Sequence, residues 1–347
     1  MKRILLLLML WAGSACASDV DARHAVILLY HHVAVDTPAS TSVTPERFEA
    51  HLDWLAREQF RVWPLERLLA AVIDGAEPVP EDVVAITFDD AYESVHDTAA
   101  PLLRARDWPY TVFVNTEAID AGHAPYMDWA QLRELAAGGA EIGNHSAAHG
   151  HMAKPRGDES RAAWRERIRA DIGRSHERIA EEIGQEPGFF AYPYGEDSPE
   201  LAELVAERYP WALVQRSGAV GPLTDPLAVP RFPMATGFAS LDRLALAARS
   251  RPLPVRDVET GGRGERGDLA WIRLTLAADG FSVARLACFS AGGDALDLDV
   301  EIGPPGRVRI DVAGIGRPGR NKVNCTAPAD DGSGTFYWYA HQWLVGR

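Results

Sequence analysis

The sequence has few cysteines and fewer positive than negative charges, and the charge balance excludes one class of protein. Its 347 residues include 35 lysines and arginines against 49 aspartates and glutamates, which gives a formal net charge of −14. Because such a surface repels a phosphate backbone, we do not expect the chain to bind nucleic acid. Internal repeats and low-complexity tracts are also missing, and a hydrophobic fraction of 47% is typical of globular domains.

Long apolar runs are missing as well, except for one run at the N-terminus. Lys2 and Arg3 precede an uncharged apolar run over residues 4–11, and small residues follow it up to Ala17. The run is too short to cross a membrane, and this layout is typical of a cleaved secretory signal peptide. We therefore expect a signal peptide over residues 1–17, export to the periplasm or the cell exterior, and no transmembrane segment. A buried N-terminal element is the alternative.

The three cysteines have different expected fates. Cys16 lies in the expected signal peptide, where it could anchor the exported chain through a lipid, although Gly13 stands where lipoprotein signals carry leucine. Removal of the signal leaves Cys288 and Cys325, both late in the chain. In an oxidising compartment this pair predicts one disulfide in the C-terminal region. Two separate buried thiols are the alternative.

Short apolar runs alternate with helical patterns from about residue 24 to residue 249. Helix starts are predicted at Thr44 and at Asp128, and a longer helix is predicted over residues 159–183, ahead of Gly184. This alternation predicts an α/β fold of parallel strands, a distorted (β/α) barrel of seven or eight strands. The strands are predicted at residues 26–30, 60–64, 83–88, 110–115, 140–144, 189–192, 212–215 and 228–232.

The composition changes near Pro252, beyond which glycine-rich turns separate short strand patterns. We therefore predict a large α/β domain over residues 18–250, a linker over 251–264, and a small all-β domain, a β-sandwich, over 265–347. Its strands are predicted at residues 270–276, 281–289, 296–302, 307–312 and 336–344.

Polar residues follow two of the predicted barrel strands. The strand at 83–88 runs into Asp89 and Asp90, and adjacent carboxylates repel unless they bind or catalyse something. His145 and His149 follow another strand, and their spacing of four puts them on one face of a helical turn. Turn residues and a solvated surface are the respective alternatives. Two imidazoles with the carboxylate of Asp90 would leave open positions on a catalytic zinc or a related ion.

Two further strands end in residues of interest. The first strand ends in Tyr30, His31 and His32, and a later one runs into Pro193-Tyr194-Gly195. Taken alone, the histidines are interpreted as satisfied core or rim residues, and the aromatic residues of the later segment as core packing.

Together the four segments resemble the polysaccharide deacetylases, the NodB-homology family of carbohydrate esterases, over roughly residues 24–235. The resemblance lies in Thr-Phe-Asp-Asp at 87–90, His-Ser-x-x-His at 145–149 and Pro-Tyr-Gly at 193–195, in this order. The early Tyr-His at 30–31 resembles the branch that includes exported poly-N-acetylglucosamine deacetylases. No Leu-x-His follows near the end of the domain.

The resemblance implies a single divalent metal ion bound by Asp90, His145 and His149. The ligand types favour Zn²⁺, and they would also hold Ni²⁺, Co²⁺ or Fe²⁺.

The resemblance also implies the catalytic roles. Asp89 is the general base that deprotonates the metal-bound water, His31 is the general acid, and the backbone N–H of Tyr194 stabilises the oxyanion. Many family members carry an arginine at the position of Ala191, where it steadies the catalytic aspartate. We expect Arg231 to supply the missing guanidinium from a later strand end.

The function implied is hydrolysis of N-acetyl groups on a polysaccharide that contains N-acetylhexosamine. The alternatives are an esterase that removes O-acetyl groups from carbohydrates and a carbohydrate-binding protein that has kept the barrel without turnover.

The last predicted strand is unusually aromatic, and its two faces suggest two uses. One face could stack on sugar rings, or both faces could pack, one of them against the large domain. One face carries Tyr337, Tyr339, His341 and Trp343, and the other carries Phe336 and Trp338.

Overall fold

The computed structural model describes residues 23–346 apart from 263, 265, 266, 278, 279 and 304. The predicted signal peptide at 1–17, with Cys16, lies outside the described residues. Among the residues described, none of the helices has the length and apolar character needed to span a bilayer.

The first part of the chain builds one parallel sheet. Its strands neighbour one another in the order β10-β1-β5-β6-β7-β8-β9, with β4 beside β5, while β2 and β3 form a separate pair. The strands are β1 (Val26–Tyr30), β2 (His32–Val33), β3 (Ser42–Val43), β4 (Arg61–Val62), β5 (Val83–Phe88), β6 (Thr111–Val114), β7 (Glu141–Asn144), β8 (Phe189–Ala191), β9 (Trp211–Leu213) and β10 (Phe232–Pro233).

The central strands are buried on both faces. Every residue of β1 is buried, and alternate side chains enter different core clusters: Leu28 packs into one and Ile27 into another. Such two-sided burial is the reason that parallel strands read as continuous apolar runs rather than alternating ones.

The helices lie between the strands, as the sequence predicts for a parallel sheet. The hydroxyl of Thr44 caps the first of them, Asp128 forms a capping box, and Gly184 ends the longest in a left-handed conformation, which confirms three predicted helix ends. The α-helices are α1 (Pro45–Arg57), α2 (Leu65–Leu69), α3 (Ala100–Arg104), α4 (Thr116–Asp120), α5 (Trp129–Ala137), α6 (Arg161–Ile183), α7 (Pro199–Ala206) and α8 (Leu241–Ala248). Two π-helical turns flank α2 and α3, at Ala70–Asp74 and Val95–Ala99, and 3₁₀ turns lie at Pro193–Gly195, Thr236–Phe238 and Val283–Arg285.

The segment around Arg231 links the two edges of the sheet. Val229 pairs with Leu213 at the β9 edge, and Phe232 pairs with Leu28 of β1. Pro230 has no N–H to continue a ladder, so the strand predicted at 228–232 is reduced to two short pairings with Arg231 between them. The strand order and this link are those of a distorted barrel.

The second part of the chain forms two four-stranded sheets, β11-β18-β17-β14 and β12-β13-β16-β15. Buried side chains of both sheets, such as Ile272 and Val323, share one hydrophobic cluster. A sandwich of the two sheets stays a prediction. The strands are β11 (Arg251–Pro252), β12 (Val255–Gly261), β13 (Trp271–Leu276), β14 (Ala287–Ser290), β15 (Leu298–Glu301), β16 (Gly306–Asp311), β17 (Gly319–Pro328) and β18 (Phe336–Val345).

Three segments of this part differ from the sequence prediction. The strand predicted at 281–289 begins only at Ala287, after the 3₁₀ turn at Val283–Arg285. The expected linker at 251–264 contains β11 and β12, because Val255–Gly261 pairs along its length with β13. Strand β17 was not predicted, because small buried residues alternate with polar ones along it and glycine and proline lie at its ends. The predicted disulfide between Cys288 and Cys325 is present and joins β14 to β17.

Strand β18 packs on both of its faces. Tyr337 and Trp343 enter the core of the second domain, whereas Trp338 packs against Phe232 of the barrel, with ring centroids 5.3 Å apart. The guanidinium of Arg243 lies 4.6 Å from the Trp338 ring. The expectation that the aromatic strand packs on both faces is confirmed.

Candidate active site

The three predicted metal ligands lie together at the carboxyl ends of two strands, β5 and β7, that β6 separates in the sheet. Asp90 follows β5, and His145 follows β7. One ligand atom from each of Asp90, His145 and His149 can be chosen so that all three atoms lie within 4.8 Å of one another. Oδ1 of Asp90 is 3.4 Å from Nε2 of His145 and 3.1 Å from Nε2 of His149. The carboxyl ends of parallel barrel strands are the usual place for an active site.

The polar atoms of this cluster are suited to a cation. Oδ1 of Asp90 and Nε2 of His145 are buried and have no hydrogen-bond partner within the described part of the chain. Leaving such atoms unpaired costs about 1–3 kcal/mol each, and coordination to an ion would relieve that cost. Nδ1 of His145 donates to the carbonyl of Ala191 over 2.7 Å, which leaves Nε2 as the ring nitrogen that faces the cluster. The residues therefore fit a divalent metal ion.

The charge of Asp90 is favoured by its neighbours. Burial raises the pKa of its carboxyl, but the imidazoles of His145 and His149 outweigh burial and hold this pKa well below its usual range. Asp90 is therefore an ionised ligand at neutral pH.

The turn that carries the two histidines is not helical, contrary to the helical turn expected from their spacing. Ser146 and His149 have positive φ angles of 67° and 47°, and the rings of His145 and His149 still lie 4.8 Å apart. The carboxylate of Asp171, on α6, accepts the backbone N–H groups that follow Ser146. Because that carboxylate holds the turn, the backbone adopts a conformation that helical hydrogen bonds would not allow.

Asp89 is fully buried and is held by a bidentate ion pair. Nη1 and Nη2 of Arg231 donate to its two oxygens over 2.7 and 2.8 Å. Arg231 is itself fully buried, and its Nε donates to the carbonyl of Val214. Ala191 carries no charge, and the guanidinium thus reaches Asp89 from the segment that links β9 to β10.

Gln215 connects Asp89 to His31, and sequence reasoning missed it. Its amide nitrogen lies 3.2 Å from Oδ2 of Asp89 and 3.4 Å from Nε2 of His31. Burial lowers the pKa of His31, while the charges of Asp89 and Asp90 oppose that shift. The position of Gln215 in the sequence could have indicated it. Gln215 is the polar residue at the end of a predicted strand, and the acids and histidines of the site also lie at strand ends.

Tyr194 lies at the rim of the cluster. Its φ is 58°, its ring lies 4.7 Å from that of His149, and it stacks on His151 at 4.4 Å. Tyr194 is 39% exposed, so it would form part of the surface that a substrate contacts.

Comparison with known proteins finds similarity to one family. Residues 76–210 match the family model described as polysaccharide deacetylase. That stretch contains Asp89, the three candidate ligands and Tyr194, and it excludes His31 and Arg231.

Two curated relatives carry the same name, poly-beta-1,6-N-acetyl-D-glucosamine N-deacetylase. The protein from Escherichia coli strain K12 is 28% identical over an alignment of 157 residues, and the match covers 35% of this chain and 23% of that protein. The protein from Staphylococcus aureus strain MRSA252 is 24% identical over 198 residues, 55% of this chain and 67% of that protein. The chain thus spans less than a quarter of the E. coli relative.

The solved structure of IcaB from Ammonifex degensii has the same fold. The two structures superpose with a TM-score of 0.58 at 23% identity, over 66% of this chain and 98% of that one. Residues 76–210 are thus similar to the polysaccharide deacetylases, and the first part of the chain has the fold of the IcaB structure.

Proposed function

We propose that the protein is a metal-dependent hydrolase that removes N-acetyl groups from a polysaccharide containing N-acetylhexosamine. The observation that carries the proposal is the Asp90, His145 and His149 cluster, with its unpaired buried atoms, beside the Asp89–Arg231 pair. The names of the E. coli and S. aureus relatives favour N-acetyl over O-acetyl groups as the substrate. On donor type the ion is Zn²⁺.

The reaction forms a bond from the water oxygen to the acetyl carbon, breaks the carbon–nitrogen bond and delivers one proton to the departing amine. The ion supplies Lewis acidity that polarises the acetyl carbonyl and acidifies water. Asp89 accepts the proton of the attacking water, and Arg231 keeps Asp89 ionised for that task. His31 protonates the amine; burial lowers the pKa of its imidazole, and the charges of Asp89 and Asp90 oppose that shift. The backbone N–H of Tyr194 donates to the oxyanion.

We also propose that the protein acts outside the cytoplasm, in the periplasm or beyond the cell. The disulfide between β14 and β17 supports this proposal, since such bonds persist in oxidising compartments.

The test is acetate release from an N-acetylglucosamine oligomer, with bound metal counted on the same samples. We expect one divalent ion per chain, loss of activity on chelation, and recovery when Zn²⁺ is added. Asp89→Asn should lower kcat by about 10²–10⁴-fold, because it removes the base and leaves its shape. Asp74→Asn is the matched control, since that exposed aspartate ends the π-helical turn at Ala70–Asp74 and is not part of the candidate site.

Two results would contradict the proposal. Acetate release that survives both chelation and Asp89→Asn would rule out this site as the catalyst. A metal-loaded protein that releases acetate only from O-acetylated xylan would identify the alternative esterase.

A further inference from the structure

The second domain contacts the turn that carries Tyr194. Arg320 of β17 donates to the backbone carbonyl of Tyr194. The amide of Gln342, on β18, donates to the carbonyl of Gly195 over 2.7 Å and to Oδ1 of Asp197 over 3.0 Å. Gln342 is buried, whereas Arg320 is exposed, so the second domain holds this turn both inside the junction and at its edge.

The same sheet contacts the segment that carries Gln215. Lys322 of β17, two residues beyond Arg320 and therefore on the same face of the strand, donates to the backbone carbonyl of Gln215. The side chain of Gln215 in turn contacts Asp89 and His31. A donor in the second domain is thus one residue removed from both the proposed base and the proposed acid.

These contacts hold backbone that would otherwise be free to shift. Tyr194 has a positive φ, which costs about 1–3 kcal/mol and persists only where the surroundings fix it. A carbonyl that accepts a hydrogen bond fixes its peptide plane, and the Tyr194 and Gly195 carbonyls both accept one from the second domain. A displacement of 1 Å in a catalytic group can lower the rate by about 10²-fold.

We propose that Arg320, Lys322 and Gln342 are positioning residues, through which the second domain holds the Tyr194 turn and Gln215 in the geometry that catalysis requires. The kinetic part of this inference rests on the proposed deacetylase function. It gives the domain a role that does not need glycan binding.

The experiment compares Lys322→Met and the double variant Arg320→Met with Gln342→Leu against the wild type. We expect kcat on the N-acetylglucosamine oligomer to fall about 10- to 100-fold, with KM and the number of bound Zn²⁺ ions unchanged. Hydrogen–deuterium exchange should accelerate in residues 189–198 for the double variant and in 211–217 for Lys322→Met. Arg307→Met is the matched control, because Arg307 is an exposed cation on β16 of the other sheet.

Lys322→Arg retains a donor and should keep most of the wild-type kcat, and it also serves if the Met variant does not fold. Unchanged exchange in both segments would overturn the inference, as would a fall in kcat that Arg307→Met reproduces. A wild type that deacetylates nothing would contradict the proposed function instead, and the exchange data would still decide whether the second domain holds these segments.

Discussion

At the scale of single residues, the carboxylate of Asp89 is occupied by donors on both oxygens. Arg231 supplies two of them and Gln215 supplies the third. Burial raises the pKa of Asp89, but the guanidinium of Arg231 and the imidazoles nearby outweigh burial and lower it below its ordinary value. Because a base must be ionised to accept a proton, this pairing extends activity toward acid pH.

Arg231→Met should therefore move the acid limb of kcat/KM to higher pH. Without the guanidinium, only the nearby imidazoles still oppose the effect of burial on Asp89, so its pKa rises and the base becomes protonated at a pH where the wild type is still ionised. We also expect kcat/KM near neutral pH to fall by at least about 10-fold. The measurement is kcat/KM at pH values from about 4 to about 9, and circular dichroism checks that each variant is folded.

Arg231→Lys is the control, since it keeps the charge and loses the bidentate geometry. Its acid limb should lie closer to that of the wild type. An acid limb that stays in place in Arg231→Met would show that Arg231 does not set the ionisation of Asp89.

At the scale of elements, the candidate site is built from residues at strand ends, and most of these residues could be predicted from the sequence. Apolar runs that end in Asp90 or His145 can be placed at one edge of a parallel sheet, because the carboxyl ends of such strands meet there. Gln215 occupies the same kind of position, but a single amide at a strand end forms no motif. The contacts of Lys322 were beyond prediction, since β17 has a weak strand pattern and its partners lie more than 100 residues away.

The turn after β8 depends on a glycine that packs against the end of β9. Gly195 has a φ of 65°, and a Cβ atom there would lie 2.4 Å from the backbone nitrogen and the Cβ of Gln215. Gly195→Ala should therefore push the turn and Gln215 apart, with a cost of about 1–3 kcal/mol in the free energy of unfolding and a loss of kcat. Urea unfolding and acetate release measure the two effects.

Gly188→Ala is the matched control for that substitution. Gly188 lies just before β8, and a Cβ atom there would meet open space. If the two variants had the same free energy of unfolding and the same kcat, the close approach of the turn to Gln215 would contribute nothing to stability or activity.

At the scale of the whole molecule, the junction of the two domains contains a half-buried amine among like charges. Burial, together with the guanidinium groups of Arg320 and Arg216, lowers the pKa of Lys322 from 10.5 to about 7. Between these two values the unfolded chain binds a proton that the folded protein does not bind. The free energy of unfolding therefore rises with pH across this window, and the cost of the charged amine is present in full only below it.

Lys322→Met should remove that contribution to the pH dependence of stability. As pH rises from 7 toward 10, the wild type should gain stability relative to Lys322→Met, because only the wild type sheds an unfavourable buried charge. The measurement is the urea midpoint of both proteins at several pH values, read as a difference so that groups common to both cancel. Midpoints that stay parallel over the window would place Lys322 in solvent and remove it from the junction. A difference between the midpoints that is constant below pH 7 and shifts in favour of the wild type between pH 7 and pH 10 would show that the second domain and the barrel are coupled through this amine.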